Sequence, residues 1–312
     1  MTSELLNSLR QNDTRVISGL ISAVENGDDT ISETLNSLFP HSRDSVRIGI
    51  TGPPGAGKST LIDKLIVQIR AEDGTVGVVS VDPTSFFSGG ALLGDRVRMN
   101  RHSLDPAVYV RSMGSRGHTG GLARLTHQVA DVIASTGKDY IIVETVGVGQ
   151  AETEIVLNVD IVVVVFVPES GDEIQIMKAG PMEVGDIFVI NKADRAGADR
   201  ISQLLQDYMS DSSSQREFVP QIILTEATEG KGIEELWAQC RTLMAELQQS
   251  GTIRKRRNEQ YLSRVRNAVH DELAARFWNS DRESVLMKQI DGMRERHLSP
   301  YEAADQLVNE LG

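Results

Sequence analysis

Val46-Arg-Ile-Gly-Ile-Thr-Gly-Pro-Pro-Gly-Ala-Gly-Lys-Ser-Thr60 decides how the chain reads. A β-branched apolar run, Val46, Ile48 and Ile50, leads into Gly52-x-x-x-x-Gly57-Lys58-Ser59, and Leu61, Ile62, Leu65, Ile66 and Ile69 follow at helical spacing. The order is strand, glycine-rich loop, helix. Consecutive backbone N–H groups of such a loop cradle paired phosphates, and Gly52, Gly55 and Gly57 keep side-chain bulk out of the curl. Pro53, Pro54, Ala56 and Thr60 complete the stretch. Lys58 supplies a point charge, Ser59 a hydroxyl ligand for Mg2+, and the helix N-terminus the positive end of its dipole.

Composition bounds what surrounds this loop. With 312 residues, 40% of them hydrophobic, the chain can bury a large core with appendages. The longest apolar run, Ile161 to Val167, has the length of a strand and not of a membrane span. The N-terminal residues lack the basic and apolar regions of a signal peptide, so a cytoplasmic protein is expected. A formal net charge of −12 argues against a nucleic-acid partner. Cys240 is the one cysteine, which excludes an internal disulfide; beside Trp237 in a helical pattern it reads as a packed thiol.

Three regions follow. Residues 1–44 form a helical extension, with Leu5, Leu6 and Leu9, then Ile17, Leu20, Ile21 and Val24, then Ile31, Leu35 and Leu38 at helical spacing. From 45 to 250 strands and helices alternate, which predicts an α/β fold with a mostly parallel sheet. Strands are expected near 46–51, 76–81, 107–111, 140–145, 160–167, 187–191 and 221–225. Residues 251–312 form a helical arm, opened by Arg254-Lys-Arg-Arg257 and striped by Tyr261, Leu262, Val265, Val269, Leu273 and Phe277. The basic cluster, followed by Glu259, Asp271 and Glu272, reads as a solvated helix face. The apolar stripe needs a cover, which predicts a homodimer.

Ligands on a parallel sheet lie beyond the carboxyl ends of its strands, and that is where this chain places its polar residues. Asn191-Lys192-Ala193-Asp194 follows the sixth expected strand. A carboxylate at Asp194 can accept from both the ring N1–H and the exocyclic amine of guanine, a donor pair that adenine lacks. GTP over ATP follows. Thr225-Glu226-Ala227, after the seventh strand, would back the base with main-chain groups.

The chain resembles the MeaB/ArgK family of P-loop GTPases over nearly its whole length. The resemblance is carried by Gly52–Thr60, Val81-Asp-Pro-Thr-Ser85, Leu93-Gly-Asp-Arg-Val-Arg-Met99, Arg111-Ser-Met-Gly-Ser-Arg-Gly117, Glu144-Thr-Val-Gly-Val-Gly-Gln150, Gly171-Asp-Glu173 and Asp186–Asp194. It implies a chaperone of adenosylcobalamin-dependent acyl-CoA mutases, methylmalonyl-CoA mutase first among them, that binds GTP and GDP with Mg2+ and forms a homodimer. By resemblance Asp82 and Glu144 belong with Ser59 to the metal shell, and Asp95 to the first switch and the metal. Gly147 would offer its N–H to the γ-phosphate, and Lys178 lies in the third switch.

Two departures from the common small-GTPase pattern predict slow intrinsic hydrolysis. Glu144 stands where Asp is usual, and Val148 where a water-orienting Gln is usual. Gln150, Asp95, Lys178 and the arginines Arg96, Arg98, Arg111 and Arg116 are the candidates to complete catalysis. Two rival classes remain at this stage. One is a nickel-type metal-delivery GTPase, against which the six scattered histidines speak; the other is a transport-associated ATPase or kinase, which guanine selectivity would exclude.

Overall fold

The computed structural model of the chain describes residues 2–28, 30–82, 100–102, 104–114, 121–145, 159–168, 181–212, 218–280, 282–284, 286–287, 290 and 299–310. Seven strands form where the β-branched runs lie: β1 (Val46–Thr51), β2 (Val76–Asp82), β3 (Val108–Gly114), β4 (Tyr140–Glu144), β5 (Ile161–Phe166), β6 (Ile187–Asn191) and β7 (Gln221–Thr225). They make one sheet in the order β3-β2-β4-β1-β5-β6-β7, every pair parallel. β1 therefore sits between β4 and β5, with the carboxyl ends of β1 and β4 side by side.

Alternation along the strands divides the core in two. Ile48 and Ile50 of β1, Val163 and Val165 of β5 and Val189 of β6 face helix α4 (Lys58–Ala71) and helix α8 (Ile233–Gln249). Val162, Val164 and Phe166 of β5 with Phe188 and Ile190 of β6 face the other way. There they pack with α1 (Thr2–Arg10), α2 (Thr14–Asn26), α3 (Ile31–Leu38), α5 (Gly121–Ala134) and α7 (Ala198–Ser212). Both faces of β5 are covered, which is why its six residues are apolar without alternation and all buried. Each such Val or Ile contributes about 1.5–3 kcal/mol by leaving water. A short α6 (Pro181–Val184) precedes β6.

Local signals set the helix ends. The Asp13 carboxylate caps α2 by accepting from the N–H groups of Arg15 (2.9 Å) and Val16 (3.3 Å), and Gly27, at φ +68°, ends it in the left-handed region. Cys240 is buried in α8, and burial pushes its thiol up to about 12. Alkylation of the native chain at pH 8 is therefore expected to be slow, and fast after denaturation; equal rates by mass spectrometry would refute the packed thiol.

Chain packing divides the molecule into two compact units, Met1–Arg257 and Asn258–Gly312. The first turns of α9 (Thr252–Phe277) belong to the first unit, and here the structure corrects a sequence expectation. Arg256 and Arg257 are not a solvated face. Arg257 makes a two-point contact with Asp160 (Nε to Oδ1 2.7 Å, Nη2 to Oδ2 2.8 Å), and Arg256 does the same with Asp186 (2.9 Å at both oxygens). The two carboxylates are buried at the amino ends of β5 and β6, and they also accept from the backbone N–H groups of Arg47 (2.9 Å) and Val162 (2.8 Å). The planar guanidinium fork matches a carboxylate that a flexible lysine would hold less firmly.

In the second unit α10 (Pro300–Glu310) starts with a reciprocal cap. The Ser299 N–H donates to Glu302 Oε2 (2.8 Å) and the Glu302 N–H to Ser299 Oγ (3.2 Å), with Pro300 at the first helical position. Tyr261, Leu262, Val265, Val269 and Leu273 of α9 are exposed.

Candidate nucleotide-binding site

The loop after β1 is shaped by how close it runs to other backbone. Gly52 has φ +140°, and a Cβ there would lie 2.2 Å from the Val165 carbonyl oxygen of β5. Gly57, at φ +85°, has room for no side chain because a Cβ would lie 2.5 Å from Asn191 Nδ2. Within this loop these are the two positions where glycine is required sterically as well as conformationally. α4 begins directly after Gly57, so its unsatisfied N–H groups face the loop. The buried Lys58 ammonium donates to the carbonyl oxygens of Gly52 (2.8 Å) and Pro53 (3.1 Å), which holds the charge across the mouth of the curl.

Ser59 joins this loop to β4. Its Oγ donates to Glu144 Oε1 at 2.8 Å, and Ser80 Oγ of β2 donates to Glu144 Oε2 at 2.7 Å. All three side chains are buried. Next to them Thr145 Oγ1 donates to Thr51 Oγ1 (2.8 Å). A hydroxyl and a carboxylate within hydrogen-bond distance at the end of a phosphate loop form a hard-oxygen donor pair, which fits a dication that takes its other ligands from phosphates and water. Among the described residues no group of three His, Cys, Asp or Glu side chains converges on a point.

The base-side loops are tied together by Asn191. Its Nδ2 donates to the Ala56 carbonyl of the phosphate loop (2.8 Å), while its Oδ1 accepts from Thr225 Oγ1 and from the Ala227 N–H (3.1 Å each). Asn191 is 2% exposed, so these bonds replace water that cannot reach it. The Ala193 N–H donates to the Thr225 carbonyl (3.0 Å), which keeps the two loops side by side. Lys192 holds the left-handed conformation at φ +56°, uncommon for a residue with a side chain and concentrated at ligand sites. Asp194 is exposed at the rim. Glu226 pairs with Lys231 (2.8 Å), which raises the Lys231 ammonium above its ordinary value.

Gly52–Thr60, Glu144, Asn191–Asp194 and Thr225–Ala227 thus lie at the carboxyl ends of β1, β4, β6 and β7. Asp82 ends β2; its side chain, and all of Asp95, Gly147, Gln150 and Lys178, lie outside the described residues. Of the four arginines considered for charge stabilisation, Arg111 is the one described, and Glu25 on α2 holds its guanidinium (Nη2 to Oε2 2.6 Å, Nε to Oε1 3.1 Å). Ser80 escaped sequence reading, since a serine inside an apolar strand carries no motif.

Comparisons with known proteins identify the family. A family model described as methylmalonyl-CoA mutase-associated GTPase MeaB matches residues 17–282. A GTPase of Pyrococcus abyssi is 43% identical over 314 residues, covering 100% of this chain and 97% of that protein. GTPase ArgK of Escherichia coli strain K12 is 31% identical over 316 residues, covering 98% and 95%. Among solved structures, one described as a LAO/AO transport system kinase superimposes with a TM-score of 0.72 at 26% identity, covering 99% of this chain and 97% of that one. None of the described helices is long and apolar enough to cross a membrane. A matched model over residues 17–282, near full-length relatives and a phosphate loop coupled to an Asn-Lys-x-Asp loop lead to one assignment: the chain belongs to the MeaB family of P-loop GTPases.

Proposed function

We propose that this chain is a Mg2+-dependent GTPase acting as a chaperone for an adenosylcobalamin-dependent acyl-CoA mutase, methylmalonyl-CoA mutase or a related enzyme, by gating cobalamin loading and protecting or reactivating the mutase. The observation that carries the nucleotide reading is the triple bond set of Asn191, which ties a phosphate loop to two loops suited to guanine. The family description supports the mutase as client.

In this reading Lys58 leaves the Gly52 and Pro53 carbonyls to neutralise the β- and γ-phosphates. Asp194 accepts from the guanine N1–H and amine, with Lys192 and Thr225–Ala227 lining the base. Mg2+, when bound, offsets phosphate charge; Ser59 and Glu144 hold it, with Asp82 and Asp95 by resemblance. Gly147 contacts the γ-phosphate, and Gln150, Asp95 or Lys178 completes the catalytic set. The protein works in the cytoplasm as a homodimer, a state that the exposed α9 stripe of Tyr261, Leu262, Val265, Val269 and Leu273 supports.

Steady-state hydrolysis tests the proposal. The full chain alone should hydrolyse GTP slowly and ATP hardly at all, the Lys58→Ala variant should be inactive, and cognate mutase should raise the GTP rate. An unchanged rate with mutase present would overturn the client; equal use of ATP would overturn the guanine reading.

A further inference from the structure

We propose that Ser80 is a positioning residue for the metal-binding carboxylate, setting Mg2+ affinity without touching metal or nucleotide; this rests on the reading of Glu144 as a metal-shell residue. Ser80 and Glu144 are register partners on the adjacent strands β2 and β4, so their Cα atoms are held together by the sheet ladder itself. Ser80 is 1% exposed and Glu144 4%, so neither finds a substitute bond in bulk water.

The two hydroxyls on the carboxylate differ in what they are attached to. Ser59 sits on the phosphate loop helix and holds Oε1; Ser80 sits on β2, paired on both sides by β3 and β4, and holds Oε2. Glutamate has one more rotatable bond than the aspartate usual here, and a longer stem lets the carboxylate wander unless a second contact fixes it. Ser80 is that contact. With Oε2 held from the strand, Oε1 stays aimed at Ser59, where the dication is expected. A carboxylate ligand that is itself hydrogen-bonded loses less freedom on binding, which is how outer partners tune a metal site.

The test titrates Mg2+ against the affinity of the full chain for a fluorescent GDP analogue, in wild type and in Ser80→Ala, Ser80→Thr and Ser80→Val. Threonine and valine have the same shape, and only threonine keeps the hydroxyl, so any packing cost is common to both. The expected result is a rise of about tenfold in the half-maximal Mg2+ concentration for the alanine and valine variants, with threonine near wild type. GDP affinity in excess chelator should be the same in all four. Valine matching threonine would overturn the proposal, since the hydroxyl would then be structural only. Glu144→Gln is the control: if it leaves the Mg2+ dependence intact, the metal reading of Glu144 falls and takes this inference with it; if it shifts the dependence and Ser80→Val does not, the inference fails alone.

Discussion

Replacing Asp160 with alanine is expected to destabilise the first unit by about 3 kcal/mol, at the low end of the cost of breaking a buried ion pair because Arg257 keeps a third of its side chain in water. The loss has two parts. Arg257 gives up a two-point contact, and that contact is also what raises its pKa. The Arg47 N–H loses its acceptor at the start of β1. The carbonyl of residue 160 still accepts from Arg256 (2.8 Å), so the helix root is weakened rather than released. Urea denaturation followed at Trp237, in a Trp278→Phe background, measures the effect. A midpoint unchanged from wild type would mean that the desolvation of Asp160 cancels its bonds.

Asn191→Ala should lower affinity for GDP and GTP alike by on the order of a hundredfold, as three hydrogen bonds at about 1 kcal/mol each disappear. The parity between the two nucleotides is the informative part. Asn191 touches the loop backbone at Ala56 and the base loop at Ala227, features common to both ligands, whereas a residue reading the γ-phosphate would separate them. Equilibrium binding with labelled GDP, with competition by a non-hydrolysable GTP analogue, decides the matter. Intact affinity combined with a lower melting temperature of the nucleotide-free protein would make the three bonds purely structural.

Much of this molecule could be read from the chain. Strands such as Ile161–Phe166 announce themselves because burial on both faces demands uninterrupted β-branched residues, and the phosphate loop because backbone curvature demands glycine. What escaped was pairing at a distance. Arg257 meets Asp160 across 97 positions and Arg256 meets Asp186 across 70, and no local pattern separates an arginine destined for a buried aspartate from one in water. Ser80 was hidden for the same reason, its partner lying 64 positions away on a neighbouring strand. In retrospect Asp160 and Asp186, each directly before an apolar strand, were the available hint that something basic had to cover the amino end of the sheet.

The central place of β1 also bears on synthesis. Its neighbours begin at Tyr140 and Ile161, so β1 leaves the ribosome on the order of ten seconds before β5 at ordinary elongation rates. Until then Gly52 has no Val165 to lean on, and α4 can coil while the loop in front of it stays formless. A nascent chain shorter than about 166 residues would carry the phosphate-loop sequence without Asn191, Asp194 or β5 and bind no nucleotide, with the apolar β1 left for holdase chaperones to shield until translation catches up.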